Sequence, residues 1–424
     1  MNPFEFNSFL PISYQASNWF FDLLSLNNSI VVNREFLKIP MRELQEAMGC
    51  KNAIDYVFAM DQHVLVAVCL KERKVATYRY KGNQGLCSLW TSTEGAWVDA
   101  VGSVATLDSS SLKGPWSLPC FLFVLTKENV LIKISVQPGY TLDEDYRVTL
   151  YQNVKYKKIL IGSKPQIRMD EKRRSTDAVY LWVSRNKILQ DWHLYSDGTG
   201  KLQREVRLKQ PKWAEKEDSP AVAYDPEALT MYIDEIGDSV ICADRTNHLL
   251  FECSLRASHS EVLCGQGKPG SPEENTKTSL AFLNAPCAPL VLRPMEFIDS
   301  DQFGTFAKGV IGAEKTERGS YGRKPRMILV CDAGNHAVRK IWQFPNSPQA
   351  EYLANLNRIY TLLSESEIEG HEGELLNLHC GEPKGLFIGP SGRLTVTTDS
   401  FVYILASQFT IQEERTYSSM ASDS

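Results

Sequence analysis

The sequence predicts an all-β protein, a six-bladed β-propeller of four-stranded antiparallel blades with a short N-terminal helical extension. Three observations favour this fold. One local plan recurs six times along the 424 residues: an apolar strand, a polar turn and a second, alternating strand. Successive turns lie roughly 55 to 90 residues apart, as a fixed unit with variable insertions would place them. No long helical periodicity separates the hairpins, which disfavours alternating strands and helices.

The six hairpin segments place β-branched and aromatic residues on either side of residues that turn easily. They are Val64–Tyr80, Phe121–Val136, Ala178–Leu194, Ser239–Leu255, Met327–Trp342 and Arg393–Ala406. Each has two further strand candidates nearby, which completes four strands per blade. A radial ring of such blades keeps most strand edges short or paired. A solenoid or a pair of β-sandwiches is the alternative arrangement.

A short helix is predicted from Pro40 to Gly49. Proline stands at its start, Met41, Leu44 and Met48 fall on one side, and glycine follows it. The helix is too short to stand alone, so we expect it to cap the propeller.

The outer strand that closes the last blade is expected from one end of the chain, either Ser29–Ile39 or Phe409–Glu414. The serine-rich tail after Thr416 is expected to be disordered. The predicted division is a 1–50 extension with the helix, a 51–406 propeller, and a 407–424 C-terminal strand and tail.

The composition limits the class of protein. An apolar fraction of 43% with 10% aromatic residues is ample for a buried core. The net charge of −5 lacks the basic excess that is typical of a general nucleic-acid binder. No apolar run reaches the roughly 18 residues of a membrane span, and polar residues interrupt the first thirty where a secretory signal would be apolar.

The ten cysteines include no Cys-x-x-Cys pair, and most of them lie in apolar, strand-like segments. Buried thiols in a reducing compartment are therefore expected, which predicts a cytoplasmic or nuclear protein. Disulfides in a secreted form are the alternative.

Two of the turns carry a family pattern. Asp244-Arg245-Thr246-Asn247-His248 and Asp332-Ala333-Gly334-Asn335-His336 resemble the Asp-x-Gly-Asn-His turn of NHL repeats. Residues 262–267 and 281–286 fit the family's glycine loop and the element that follows it. The resemblance covers roughly residues 213 to 406, whereas the first half shares only the strand rhythm.

The pattern has three departures from the family. Thr246 replaces the turn glycine of one repeat, and the last repeat has Thr398-Asp399-Ser400 without Asn-His. Residues 293–326 interrupt another repeat where the family turns quickly. The resemblance implies a propeller. Some NHL propellers bind RNA, and some NHL-like and related six-bladed propellers are metal-dependent lyases or lactonases.

The motif residues are predicted to shape turns rather than to catalyse. Asp and Asn side chains bond nearby backbone amides, and glycine or asparagine accepts positive φ. The predicted turn residues are Asp244, Asn247, Asp332, Gly334 and Asn335. His248 and His336 are expected to be packed or surface residues rather than ligands.

No catalytic signature, cofactor motif or standard metal-ligand set occurs in the sequence. It has no phosphate loop, no Gly-x-Ser-x-Gly elbow and no His-Glu-x-x-His helix. His371 and His379 lie near Cys380, but their spacing matches no standard zinc set. We therefore expect no catalytic residue, no metal and no cofactor.

Strand order assigns the long loops to faces. If each hairpin joins the second and third strands of a blade, its turn shares a face with the links between blades. That face receives residues 265–284 and 364–382, and the second link carries the acidic residues Glu365, Glu367, Glu369, Glu372 and Glu374. They predict either a solvated loop or a docking surface for a basic segment of a partner protein.

A basic insertion from Arg293 to Arg326 falls on the opposite face by the same argument. A loop of this length in a compact domain is usually functional or disordered. Its basic residues are Lys308, Lys315, Arg318, Arg323, Lys324 and Arg326. They predict either solvated disorder or a segment that becomes ordered on binding an acidic partner.

The function predicted from these features is a non-catalytic scaffold that binds another protein. The first alternative is a metal-dependent lyase-like or lactonase-like enzyme, or a small-ligand binder, that uses the central channel. Its candidate carboxylates are Asp55 and Asp99, which precede or begin inner strands, and Asp225, which is predicted to end one. The second alternative is RNA binding through the basic insertion, where only Tyr321 could stack on a base.

Overall fold

The computed structural model describes residues 36–60, 63–93, 95–102, 120–161, 168–169, 175–209, 225–234, 239–256, 260–273, 276–292, 326–343, 358–364, 376–377, 381–388 and 394–405. These residues form six antiparallel sheets of four principal strands each, arranged in a ring as a six-bladed β-propeller. The predicted fold class is confirmed, and each of the six predicted hairpins forms the second and third strands of one blade.

The first three blades follow one another along the chain. From inner to outer strand, blade 1 consists of Tyr56–Ala59, Val64–Cys69, Lys74–Arg79 and Gly85–Thr91. Blade 2 consists of Trp97–Gly102, Cys120–Thr126, Val130–Val136 and Leu142–Thr149. Blade 3 consists of Lys158–Leu160, Ser175–Val183, Ile188–Tyr195 and Gly200–Arg207, with Arg168–Met169 paired to its second strand.

The last three blades use the same order. Blade 4 consists of Leu229–Asp234, Ser239–Asp244, Leu249–Ser254 and Ser260–Cys264. Blade 5 consists of Pro286–Leu292, Arg326–Asp332, Ala337–Gln343 and Arg358–Ser364, with Thr276–Lys277 and Leu376–Asn377 paired to its outer strand. Blade 6 consists of Pro383–Ile388, Leu394–Thr398, Phe401–Leu405 and, as its outer strand, Phe36–Pro40.

The ring closes through the N-terminal strand. Phe36–Pro40 pairs antiparallel with Phe401–Leu405, so that Ile39 lies opposite Val402. The first of the two candidate closing segments thus supplies the strand, and residues 409–414 lie outside the described residues. Inner strands contact their neighbours at all six junctions, including the junction between blades 6 and 1.

The helix α1 (Met41–Met48) follows the closing strand directly. Its first amide donates to the carbonyl of Ser400 at 2.8 Å, and Gly49 ends it in the left-handed region at φ 60°. Met41, Leu44 and Met48 are buried, as the helical spacing predicts. The helix therefore packs against the ring.

Strands are buried on both faces because each blade has a neighbour on each side. In Val64–Cys69 every residue is buried. Leu65, Ala67 and Cys69 join the apolar cluster beneath the closing segment, whereas Val66 and Val68 join the cluster shared with blade 2. The two-residue period of a strand thus divides one apolar run between two cores.

None of the described cysteines forms a disulfide. Within the residues described, no helix is long and apolar enough to cross a membrane.

Candidate functional site

One face of the ring carries the turns between second and third strands together with the links between blades, because successive strands alternate in direction. We call this the turn face. The other connections lie on the opposite face.

The candidate binding residues of the sequence analysis fall almost entirely outside the described residues. The acidic link residues, between 365 and 374, follow a strand that ends on the turn face. The basic insertion joins two strand ends on the opposite face. Only Arg326 is described, and it is the first residue of the second strand of blade 5, opposite Gln343, rather than a loop residue.

Asp244 organises the turn of blade 4. Its Oδ1 accepts hydrogen bonds from the amides of Thr246 (3.1 Å) and Asn247 (3.0 Å), and its Oδ2 accepts one from Asn247 Nδ2 (2.8 Å). Asp244 is fully buried. The carboxylate thus replaces partners that the turn amides would otherwise find in water.

Asp332 occupies the equivalent position in blade 5 and also accepts hydrogen bonds from residues outside its turn. Its Oδ1 accepts from the amide of Asn284, in the preceding link, at 2.7 Å. Its Oδ2 accepts from Asn335 Nδ2 and from the Arg339 guanidinium, both at 2.8 Å. Arg339 and Asp332 are both buried, so this ion pair anchors the link to the blade.

The glycine of this turn has a different role from the one the sequence predicts. The positive φ belongs to His336 (50°), and likewise to His248 (55°) in blade 4, whereas Gly334 is not in that region. A methyl group at Gly334 would lie 2.5 Å from Cγ of Asn284. Glycine is therefore required by the close approach of the link, not by backbone conformation. His248 is packed, since its Nδ1 accepts from the amide of Ala285 at 2.9 Å.

The link that Asp332 anchors is a compact loop, which we call the platform loop (residues 265–284, of which 274 and 275 are not described). The amide of Gly270 donates to the carbonyl of Leu283, and Asn335 Nδ2 donates to the carbonyl of Gly270 at 2.8 Å. The amide of Gly334 donates to the carbonyl of Asn284 at 2.9 Å. Blade 5 therefore holds both arms of the loop.

The platform loop presents apolar side chains to solvent. Ala281 and Leu283 are buried, whereas Leu280 is 64% exposed and Phe282 is 38% exposed. Phe282 packs over Gly270, where an added methyl group would lie 2.9 Å from its Cβ. Within residues 280–283, exposed and buried side chains therefore alternate.

Tyr151, which is 52% exposed, lies in the link between blades 2 and 3 on the same face. The other large apolar residues that are exposed in the described part of the chain are Leu86 and Leu89, on the outer strand of blade 1. The turn face thus carries three of these five side chains.

Ion pairs flank the inner rim of the turn face. Arg245, from the turn of blade 4, pairs with Glu382, which precedes the inner strand of blade 6. Lys384 pairs with Asp399 within blade 6. Arg245 and Glu382 of the first pair both lie near Cys287, in the inner strand of blade 5.

The carboxylates proposed for channel chemistry make structural hydrogen bonds. Asp99, in the inner strand of blade 2, accepts from the Tyr56 hydroxyl of blade 1 and from the Ile159 amide of blade 3 (2.9 Å). Burial raises the pKa of Asp99, and it raises the pKa of Tyr56 well above its usual value. Asp99 therefore ties three successive blades together.

The other two candidates cap local backbone. Asp55 accepts from the amide of Leu70 at 2.7 Å, and Asp225 accepts from the amide of Glu227 at 2.9 Å. The prediction that Asp225 ends an inner strand is wrong. It precedes the strand Leu229–Asp234, because its side chain forms the turn that leads into that strand.

One group with metal-ligand spacing occurs among the described residues: the ligand atoms of Cys50, Cys69 and Glu72 lie within 4.8 Å of one another. Glu72 already accepts from the Asn52 amide (2.8 Å) and from Lys74 Nζ (3.2 Å). These bonds lower its pKa to about 2, whereas burial and Cys69 raise the pKa of Cys50 to about 12. The group thus serves first to fasten the loop after α1 to blade 1.

Leu280 and Phe282 are functional candidates that the sequence analysis missed. Phe282 belongs to the 281–286 element, which was interpreted only as structural, and Leu280 directly precedes that element. The signal in the sequence was a run of four apolar residues, 280–283, within a link, although the loop fold decides which of them are exposed.

No protein-family model and no curated protein sequence matches the chain. The chain is similar in structure to an auxiliary nutrient binding protein from Bacteroides ovatus, with 14% identity and a TM-score of 0.45, over 82% of this chain and 68% of that one. A structural genomics protein of unknown function from Bacteroides thetaiotaomicron is 10% identical, with a TM-score of 0.43, over 84% and 70% of the two chains. Streptogramin B lyase is 11% identical, with a TM-score of 0.38, over 88% and 98%. Similarity at this level carries no functional inference.

Proposed function

We propose that this chain is a non-catalytic protein-interaction scaffold that binds its partner through the turn face. The observation that carries the proposal is the platform loop, which exposes Leu280 and Phe282 while its backbone is held by the buried Asp332–Arg339 pair. Aromatic and apolar side chains on a preorganised backbone lose little freedom on binding and are typical centres of interfaces. Tyr151 extends the same face.

The chemistry of the partner follows from the charges of the neighbouring link. Glu365, Glu367, Glu369, Glu372 and Glu374 belong to the link between blades 5 and 6. An apolar partner segment with basic flanking residues would match both features. The basic insertion on the opposite face would serve a separate, acidic partner.

The turns of blades 4 and 5 support two finer proposals. Their Asp and Asn side chains bond as turn-formers, which supports kinship of residues 213–406 with NHL repeats. The free thiols support a cytoplasmic or nuclear location. The division into a 1–50 extension, a 51–406 propeller and a 407–424 tail is proposed on the same footing.

The apolar contact is tested with a matched pair of variants. Leu280→Asp places a charge on the platform loop, and Leu86→Asp places one on the outer strand of blade 1, where Leu86 is 42% exposed. Affinity purification followed by mass spectrometry should show a protein that the wild type and Leu86→Asp retain and that Leu280→Asp loses. Identical retention by all three chains would contradict the proposal.

The charged segments are tested separately. Replacing the five acidic link residues by glutamine should weaken retention of the same partner, more steeply at low salt than at high salt. Deletion of residues 304–325 should leave that partner bound, since the insertion belongs to the other face. The deletion stops at 325 because Arg326 begins a strand. If the deletion variant lost the partner and the glutamine variant retained it, the partner would bind the opposite face instead of the turn face.

A further inference from the structure

Cys287 and Cys331 lie directly opposite each other in the inner and second strands of blade 5. Opposed residues of an antiparallel pair have Cα atoms about 4.5 to 5.5 Å apart and side chains on the same face. A disulfide spans Cα separations of about 4.4 to 6.8 Å. The backbone register therefore already brings the two thiols within bonding reach.

The charges around Cys287 come from the two neighbouring blades. Arg245 of blade 4 and Lys384 of blade 6 are the nearby cations, and Glu382 is the nearby carboxylate. The Cys287 thiol donates to the carbonyl oxygen of Pro383 at 3.7 Å, which places it at the junction with blade 6. Each cation also pairs with a carboxylate, Arg245 with Glu382 and Lys384 with Asp399, and both cations favour the thiolate of Cys287.

The thiol chemistry of Cys287 differs from that of other buried cysteines. A hydrogen bond from the Cys331 thiol, together with Arg245 and Lys384, lowers the pKa of Cys287 below its ordinary value despite burial and Glu382. Burial instead raises the pKa of Cys242 and of Cys264.

The backbone beside Cys287 is strained. Ala285 and Ala288 both adopt positive φ, at 51° and 48°, and the strand pairing is irregular between Cys287 and Leu290. The amide of Ala288 leaves the ladder and donates to Thr230 Oγ1 of blade 4 at 2.9 Å. Strain of this kind clusters at functional positions. It also frees the strand end from regular pairing, so the Cys287 side can adjust when a covalent bond forms.

We propose that Cys287 and Cys331 form a redox-active dithiol that a peroxide converts into a cross-strand disulfide. The inference concerns a modification site and does not depend on the proposed binding function.

The reaction balances with hydrogen peroxide as the oxidant. The Cys287 thiolate attacks one peroxide oxygen, the O–O bond breaks, and hydroxide leaves and takes up a proton to become water. The resulting sulfenic acid is then attacked by the Cys331 sulfur. The S–S bond forms, the S–O bond breaks, and a second water leaves. Two thiols and one peroxide give one disulfide and two waters.

Burial selects the class of oxidant. Cys287 is 5% exposed and Cys331 is fully buried. A peroxide molecule is close to water in size, whereas glutathione disulfide must bring a bulky tripeptide to the attacking sulfur. The folded chain should therefore react with hydrogen peroxide and resist glutathione disulfide.

The experiment treats the folded full-length chain with a limiting dose of hydrogen peroxide, blocks remaining thiols in denaturant, and maps tryptic peptides by mass spectrometry. Cys242 and Cys253 of blade 4 are the matched control, because their buried thiols also contact each other. They are offset in the strand register, with Cys242 opposite Phe251. We expect the 287–331 linkage to exceed the 242–253 linkage at least about fivefold.

Two variants test the assigned roles. Cys331→Ser should stop the reaction at Cys287 carrying one added oxygen, with no new disulfide at that residue. Arg245→Gln should slow formation of the linkage about twofold or more, whereas Arg245→Lys, which keeps the charge, should not. Arg245 is half exposed, so its replacement should leave the fold intact.

The wild-type measurement alone can overturn the proposal. If Cys287 and Cys331 are recovered as free thiols at a dose that links Cys242 to Cys253, or if both pairs react equally, the selective dithiol does not exist. Equal reaction with glutathione disulfide would overturn the stated oxidant class.

Discussion

Asp244 and Asp332 show how the same turn residue acquires different tasks. Among the described residues Asp244 accepts its hydrogen bonds from its own turn, whereas Asp332 also accepts from the amide of Asn284 and the Arg339 guanidinium. The difference arises from the neighbouring chain, because in blade 5 the platform loop passes directly over the turn. A motif residue that shapes a turn thus also anchors the proposed binding loop.

Gly334→Ala should destabilise the protein by about 1 to 2 kcal/mol, because the added methyl group meets the side chain of Asn284 at 2.5 Å. Chemical denaturation measures the change.

The control for Gly334 is a double-mutant cycle. In an Asn284→Ala background the same glycine substitution should cost less than about 0.5 kcal/mol, because the clashing atoms are gone. An unchanged cost in that background would mean that backbone conformation, and not the approach of Asn284, requires the glycine.

Glu72 should make the stability of the loop after α1 depend on pH. Its pKa is lowered to about 2 by amide and lysine donors, from an ordinary value of 4.5. Its contribution to stability is therefore complete above pH 4.5 and is lost as the pH falls toward 2. Hydrogen exchange at the amides of Lys51 and Asn52, corrected for intrinsic rates, should accelerate over this window.

Glu72→Gln should remove that acid-induced step, because a neutral amide does not titrate. Glu43→Gln, on an exposed position of α1, is the control and should keep the step. Persistence of the step in Glu72→Gln would assign it to another group.

The closing strand and α1 together stabilise one junction of the ring, the one between blades 6 and 1. The strand completes blade 6, while the helix after it packs on the ring, and Lys74 Nζ of blade 1 donates to the carbonyl of Met48 at 3.1 Å. The N-terminal segment therefore clamps blade 6 to blade 1, the junction where no continuous chain otherwise holds the ring.

Leu44 of α1 is the position at which the stabilisation of the ring by the N-terminal segment can be measured. It is fully buried under the helix, so Leu44→Ala should reduce the free energy of unfolding by about 2 to 5 kcal/mol. Leu86→Ala, at an exposed position on blade 1, should change it by less than about 0.5 kcal/mol. Similar small changes in both variants would show that α1 contributes little to closure.

The whole molecule is a ring whose last junction depends on contacts between distant parts of the sequence. Each of the other junctions is bridged by a chain connection, whereas blade 6 is completed only by pairing Phe36–Pro40 with Phe401–Leu405. Elements held by few connections open first in native-state fluctuations. Opening of the ring is therefore expected at blade 6.

Hydrogen exchange on the native chain checks this expectation. Amides of Phe401–Leu405 should be less protected than those of Val64–Cys69, and Ile39→Ala should lower protection in blade 6 while leaving the blade 1 hairpin unchanged. Uniform loss of protection around the ring would instead indicate that all six blades open together.

The hairpins could be predicted from the sequence because both strands and their turn are local. The inner strand Lys158–Leu160 could not, since three residues carry no period, and the choice of closing segment depends on pairing across the whole chain. The exposure of Leu280 and Phe282 depends on the fold of the platform loop, and the opposition of Cys287 and Cys331 depends on register. The acidic segment and, apart from Arg326, the basic segment stay predictions, because they lie outside the described residues.

Alternate side chains of one strand pack into two separate cores, so each blade shares its interior with both neighbours. A blade does not carry a self-contained interior, so a transplanted blade would meet foreign surfaces on both flanks. A blade exchanged between homologous propellers should fold only when the parts of both neighbouring blades that pack against it are transferred with it.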